Sequence, residues 1–317
     1  MDLAKPISYN SLTINGALTP VGGGVAMSGY RVDEINVSTV EVAQRLDKRA
    51  VADGLDAQDI YLGGRHISAI VSVFGSTLGD FWDKTQDLLA AFSPTIAYSA
   101  NSGALGFLPL DFYQPTADIA TWPTSAYPSG IPLRYFCRPS SLPAFDVERN
   151  DSGGSASKGL SKRFRLSLIS RQPWKVAQSF TTSTLTDTWT TRGDSPAYPY
   201  VYISATSVTG TWVGTMNGSA WTVNVDGSRL TQAQLSARNR WVLDAYNGIL
   251  YGPATTGIGS TISDGNDPNV FSSLTARMDR LDSASTFPLL SAGSNTGGAG
   301  GGTLAPAVTT YWRDTFA

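Results

Sequence analysis

The chain has 317 residues, beyond the roughly 250–300 at which a single core stops growing, so its length predicts two domains. Hydrophobic residues make up 41% and charged residues only 15%, against the ~25% usual in soluble domains, a balance that suits many short strands and large subunit contacts. The formal net charge of −2 excludes general affinity for nucleic acid, no apolar run approaches the ~20 residues that span a bilayer, and MDLAKPISYN lacks the apolar segment of a secretory signal.

From Ile35 the segment INVSTVEVAQRL alternates, with a slip of register between Val37 and Val40 that reads as a β-bulge. RAVADGLDAQDIYLGGR, residues 49–65, reads as a turn-rich connection punctuated by Asp53-Gly54 and Gly63-Gly64. The hydrophobic period then changes once. Ile67, Ala69, Val71 and Val73 alternate with His66, Ser68 and Ser72, which buries one face of a strand and leaves Ile70 as an apolar exception. Leu78, Phe81, Trp82, Leu88, Leu89 and Phe92 follow at helical spacing, opposite Asp83, Lys84, Gln86 and Asp87. The pattern predicts one helix over about 80–92, laid on the sheet through Phe81, Leu88, Leu89 and Phe92. Asp80 is its expected N-cap and Ser93-Pro94 its stop.

The segment 93–162 is Pro-rich and aromatic at first and reads as a long insertion, with IPLRYFCRP its clearest strand and NDSGGSASKG a flexible loop by composition. RFRLSLIS places Phe164, Leu166 and Leu168 on one side and should pair back into the first sheet. After Gln172-Pro173-Trp174 the character changes, which sets a boundary near 176 between domains 1–176 and 177–317. YPYVYIS, GTWVGTMNGSAWTVNVDG and RWVLDAYNGILYG read as short consecutive strands, with Asn217-Gly218, Asp226-Gly227 and Asn247-Gly248 as hairpin turns. That is the pattern of an antiparallel sandwich or barrel, and GGAGGG, residues 297–302, reads as a loose connector before a closing strand, LAPAVTTYWRDTF.

Signs of chemistry are sparse. His66 is the single histidine and, on the polar side of its strand, reads as a surface or interface residue rather than a catalytic base. The lone Cys137 excludes an internal disulfide framework, fits a reducing cytoplasm and reads as a small buried filler. The glycine runs at Gly22 and Gly297 lack the Lys-Ser/Thr step of phosphate loops. KGLSKRFR, residues 158–165, reads as a solvated strand face, and Trp189, Trp212, Trp221 and Trp241 as core. No acidic pair stands out for glycoside hydrolysis, so the expectation is no enzyme, no cofactor and no metal.

Taken in order, these pieces resemble the distal tail (Dit) proteins of long, non-contractile phage tails. The likeness rests on GGRHISAIVSVFGS, the helix DFWDKTQDLLAAF and KRFRLSLISRQPWK in the first half, then RWVLDAYNGILYG, FPLLSAGSN and YWRDTFA in the second. It implies a mainly β protein: an N-terminal β-sandwich or split-barrel-like ring domain with one α-helix, then a galectin-like β-sandwich. It also implies a homo-hexameric ring at the distal end of the tail in the virion, assembled in the host cytoplasm. The implied partners are the tail tube protein, the tail hub and receptor-binding or side-fibre proteins, with DNA passing through the channel without specific binding. Asp53, Asp56 and Asp59 lie between Ala50 and Gly64 with no Lys or Arg among them. If that segment faces the lumen, its charge would keep DNA from adhering; otherwise it is a solvated turn. The rival reading is a soluble carbohydrate-binding β-sandwich with exposed tryptophans stacked on sugar.

Overall fold

Period-two alternation becomes antiparallel strand in both halves of the computed structural model. It describes all residues except 2, 4, 17–18, 22–25, 40–41, 49–54, 101–105, 116–129, 146–159, 186, 205–209, 226–239, 255–280, 282, 303–305 and 317. Two units form, the first from Met1–Asp118 and Ser125–Lys175, the second from Val176 onward.

The first unit contains β1 (Ile7–Tyr9), β2 (Leu12–Ile14), β3 (Thr19–Val21), β4 (Ala26–Val37), β5 (Val42–Lys48), β6 (Leu55–Leu62) and β7 (His66–Gly75). Two helices follow, α1 (Leu78–Ala91) and α2 (Pro94–Ala100), then β8 (Leu108–Gln114), β9 (Ile131–Pro139), β10 (Ala144–Phe145) and β11 (Leu160–Ser170). All but β5 and β6 join one sheet, ordered β2–β1–β8–β9–β11–β7–β4–β3, with β10 paired to β11. The ends of that order curl together. Asn15, just after β2, donates its N–H to the Tyr30 carbonyl at 3.1 Å and accepts the Val32 N–H on its side-chain oxygen at 3.2 Å. Its φ of +63° is one that Asn tolerates better than most residues. The result is a nearly closed barrel whose interior holds Ile67, Val71, Val73, Phe164, Leu166 and Leu168, all buried.

Several expectations shift. The register slip after Val37 is the end of β4, where Ser38 turns to β7, its N–H reaching the His66 carbonyl at 2.8 Å. Its hydroxyl oxygen accepts the His66 N–H at 2.9 Å, a local side-chain bond that stands in for the next ladder step. The ladder irregularity sits earlier, between Val32 and Glu34. The segment 93–162 supplies α2, β8 and β9, so it is woven through the sheet rather than appended to it. Pro94 does stop α1, but it also opens α2, where a missing N–H costs nothing, with the Ser93 hydroxyl receiving the Ile96 N–H at 3.4 Å.

Helix α1 is fixed at both ends. Its N-cap is Thr77, not Asp80: the Thr77 hydroxyl oxygen accepts the Asp80 N–H at 3.1 Å. Asp80 instead reaches back, accepting the Ser76 N–H at 2.7 Å, the Ser76 hydroxyl at 2.9 Å and the Ser28 hydroxyl of β4 at 3.2 Å. These bonds, the Ser76 N–H foremost, hold its carboxyl below the ordinary value. At the other end the Asn10 amide donates to the Ala91 carbonyl at 3.2 Å, and Phe92 stacks on Tyr9 with ring centroids 4.8 Å apart. Midway the Tyr30 hydroxyl donates to the Lys84 carbonyl at 3.0 Å. Phe81, Leu88 and Phe92 are buried as expected, together with Thr85, whose hydroxyl donates to the Phe81 carbonyl at 2.8 Å. Leu89 is only partly buried, since its angular position places it beside the exposed Leu78 and Trp82 rather than facing the sheet.

After β12 (Lys175–Ala177) the second unit contains β13 (Thr181–Thr184), β14 (Thr188–Thr191), β15 (Tyr200–Ser204), β16 (Gly210–Met216), β17 (Ser219–Val225), β18 (Arg240–Asp244), β19 (Ile249–Ala254), β20 (Gly293–Gly302), β21 (Ala307–Trp312) and β22 (Thr315–Phe316). Two antiparallel sheets, β13–β21–β15–β18–β19 and β14–β20–β16–β17, enclose a core built on Trp189, Trp212, Trp221, Trp241 and Trp312. Asn217-Gly218 is the expected two-residue hairpin, both residues at positive φ, +50° and +83°. Asn247-Gly248 closes a four-residue connection, where Asp244 accepts the Asn247 N–H at 3.0 Å. Asp226-Gly227 lies outside the described residues.

The run GGAGGG is not a connector but part of β20, at the middle of its sheet. The reason is steric. A Cβ on Gly297 would lie 2.7 Å from the Trp189 ring and 2.1 Å from the Leu185 carbonyl oxygen, and one on Gly214 within 2.6 Å of the Trp212 and Trp221 rings. Indole rings take the space that strand side chains would fill.

Leu88→Asp should cost roughly 2–5 kcal/mol, because it both empties a core position and buries a carboxylate; unchanged thermal unfolding would refute the helix–sheet packing. Asp80→Asn tests the clip at the helix start. A carboxyl held below its ordinary 3.8 stabilises the fold while ionised, so that contribution is complete above about pH 4 and disappears as pH falls through the lowered value. The Tm gap between wild type and Asp80→Asn should therefore be widest near neutral pH and close in acid; a gap independent of pH would show that Asp80 bears no such load.

Candidate functional site

β5 and β6 form a two-stranded ribbon of their own. Its pairing runs from Val42 opposite Leu62 to Lys48 opposite Leu55, and among the described residues neither strand joins another sheet. At ~3.3 Å per residue the ribbon is about 25 Å long. A lone two-stranded ribbon is marginal in water, and both of its edges carry backbone groups able to pair. Residues 55–62 are thus strand where a turn-rich connection was expected. The polar mixture in LDAQDIYL hides the period, and Asp53-Gly54, a strong hairpin dipeptide, was its only sequence signal.

Two of the three aspartates fall on this arm. Asp53 lies outside the described residues, Asp56 stands directly opposite Asp47, and Asp59 follows three residues later in β6.

The outer face of β4, β7 and β11 is organised by one carboxylate. Asp33 accepts from Arg31 Nε at 2.8 Å, from Arg163 Nε at 3.1 Å and from the Ser72 hydroxyl, tying the three strands together. The Arg31 guanidinium also lies 5.4 Å from the centroid of the Phe74 ring. Arg163, from the basic run 158–165, is therefore part of the scaffold, while Lys158 and Gly159 lie outside the described residues. His66 is exposed on this same strand face. Across the barrel, Arg134 grips Asp111 with Nε–Oδ1 at 2.5 Å and Nη2–Oδ2 at 2.8 Å, joining β8 to β9.

Cys137 is completely buried in β9, and burial pushes its thiol well above the ordinary value, which removes the thiolate a nucleophile needs. In the second unit Trp189, Trp212, Trp221 and Trp241 are all at least nine-tenths buried. The exposed sugar-stacking tryptophans of the carbohydrate reading are thus not these four. Asp314 accepts the Arg192 N–H at 2.9 Å and the Trp312 indole N–H at 3.3 Å, and burial pushes its carboxyl up. Among the described residues no cluster of three His, Cys, Asp or Glu could hold a metal, and no helix is long and apolar enough to cross a membrane.

No protein-family model and no curated protein matches the chain. Solved structures do. A chain from the baseplate of phage p2 in its activated conformation, solved with strontium and with calcium, aligns over 90% of this chain and 90% of its own at 8% identity and a TM-score of 0.41. The Dit protein of phage SPP1, described as a paradigm of the hub adsorption apparatus in phages infecting Gram-positive bacteria, aligns over 98% of this chain and 99% of its own, with 11% identity and a TM-score of 0.51. At that identity the likeness is one of fold, and it runs through nearly the whole of both chains: the protein has the mainly antiparallel β fold of the SPP1 distal tail protein.

Proposed function

We propose that the chain is a structural, non-enzymatic component of a phage tail tip, six copies of which form a ring joining the tail tube to the hub and receptor-binding apparatus. The observation that carries this reading is the likeness to SPP1 Dit over 98% of the chain, in both units rather than one. Physical support comes from the β5–β6 arm. A marginal ribbon whose strands pair only with each other among the described residues gains stability when a neighbouring copy completes its pairing, and strand pairing between subunits makes the large contacts of obligate assemblies. The first unit forms the ring, and the second, from Val176 onward, is a galectin-like docking module. In the ring Asp53, Asp56 and Asp59 border the channel, where their charge repels passing DNA instead of binding it. Assembly takes place in the host cytoplasm and the product resides at the distal end of the virion tail.

Sedimentation of the purified chain should show a species about six times the 33.6 kDa chain mass, and replacing residues 42–62 by a short Gly-Ser turn should leave a folded monomer. A ring that persists without the arm would remove the arm from the contact, and a protein that stays monomeric would remove the ring. Changing Asp53, Asp56 and Asp59 together to Lys should make the assembled ring retain duplex DNA at low salt and release it as salt rises, while the wild-type ring retains none. Equal behaviour of the two would place the aspartates away from the channel.

A further inference from the structure

The exposed side of α1 is not uniformly polar, as a helix resting on a sheet would ordinarily present. Leu78 is 62% exposed and Trp82 50%, one turn apart along one margin. Asp83 and Asp87, likewise exposed and one turn apart, line the other. The helix holds three carboxylates, Asp80 included, against the single Lys84. This surface is apolar and acidic together.

The opposite side of the same sheet has the complementary character. On the outer face of β4, β7 and β11, Met27 is 44% exposed, with Ile70 and Phe74 partly exposed. Around them stand Arg31, Arg163 opposite Ser72, and Arg165 opposite Ile70, three arginines against the two carboxylates Asp33 and Glu34. The two surfaces lie on either side of one sheet, so they cannot meet within a copy. They can meet between copies.

We infer that the exposed face of α1 docks on the outer β4–β7–β11 face of a second copy of this chain, with Trp82 against Met27, Ile70 and Phe74, and with Asp83 and Asp87 facing the arginines. This inference rests on the ring reading and names one of its contacts. Two unlike surfaces of one chain make a head-to-tail interface, the kind that closes into a ring when its rotation divides the circle. Opposite charges at its rim fix register and speed encounter, and a buried aromatic anchor supplies most of the affinity.

The test uses the full chain, followed by sedimentation and by the emission of Trp82. Trp82→Ser, at a half-exposed position, should leave Tm unchanged and weaken self-association by about tenfold or more. Asp87→Arg and Arg165→Glu should each weaken it as well, and the two combined should recover most of the loss because the pair is restored with its signs exchanged. Emission from wild type should shift to the blue on assembly, a shift that Trp82→Phe abolishes. Undiminished assembly of Trp82→Ser, or additive losses in the double reversal, would overturn this contact while leaving the ring intact. A chain that remains monomeric at every concentration would overturn both.

Discussion

The first unit depends on how near a helix can come to a strand. A Cβ on Gly75 would fall 2.4 Å from the Phe81 backbone, so β7 must end in glycine for α1 to cross where it does. With only Ser76 and Thr77 between strand and helix, the direction of α1 is set by the strand before it. Phe81, Leu88 and Phe92 then reach the barrel interior without loops to position them. Asp80 to Ser28, Lys84 to Tyr30 and Ala91 to Asn10 add one polar tie near the start, middle and end of the helix. Strand, turn and helix behave as one stiff piece, and the sheet's inner face is sealed by its own chain.

The second unit solves the same problem of close approach with the roles reversed. There the large groups are indoles and the yielding partner is a strand stripped of side chains. Gly214 and Gly297 lie under Trp212, Trp221 and Trp189, so a sandwich with five core tryptophans retains ordinary strand pairing. Glycine in a strand costs backbone entropy and offers nothing to pack, and here ring area offsets that loss. The arrangement also takes the tryptophans out of contact with any ligand outside the core.

What the sequence displays, and what it conceals, follows from these two devices. Period-two runs such as Ile67 to Val73 and Phe164 to Leu168 are legible because each has one buried side and one wet side. The helix is legible for the same reason, but its facing is not: Leu78 and Trp82 belong to the apolar stripe by spacing, yet sit beyond the sheet's reach, while Thr85 is buried because its hydroxyl finds the Phe81 carbonyl. β20 is illegible because its glycines have no hydropathy pattern and are explained only by rings from strands distant in sequence. β6 is illegible because the polar residues of LDAQDIYL break any apolar alternation. Asp56 and Asp59 fall on that ribbon, so their placement rests on an element that hydropathy does not reveal.

Closure of the barrel decides how such a protein can associate. Bonds from Asn15 to Tyr30 and Val32 consume backbone groups that an open sheet would offer to a neighbour. A protein closed in this way has little main-sheet edge left for strand addition, which is the usual route by which β proteins grow into assemblies. Among the described residues of the first unit, two means of association stand out. One is the β5–β6 arm, whose strands pair only with each other among the described residues. The other is side-chain contact between faces that are apolar and oppositely charged, the outer sheet and the outer helix. The two means differ in their demands. Ribbon pairing is satisfied by almost any sequence in register, so it supplies adhesion with little selectivity. Face-to-face packing requires matching shape and charge, so it fixes the angle between neighbours, and that angle separates a closed ring from an open fibre.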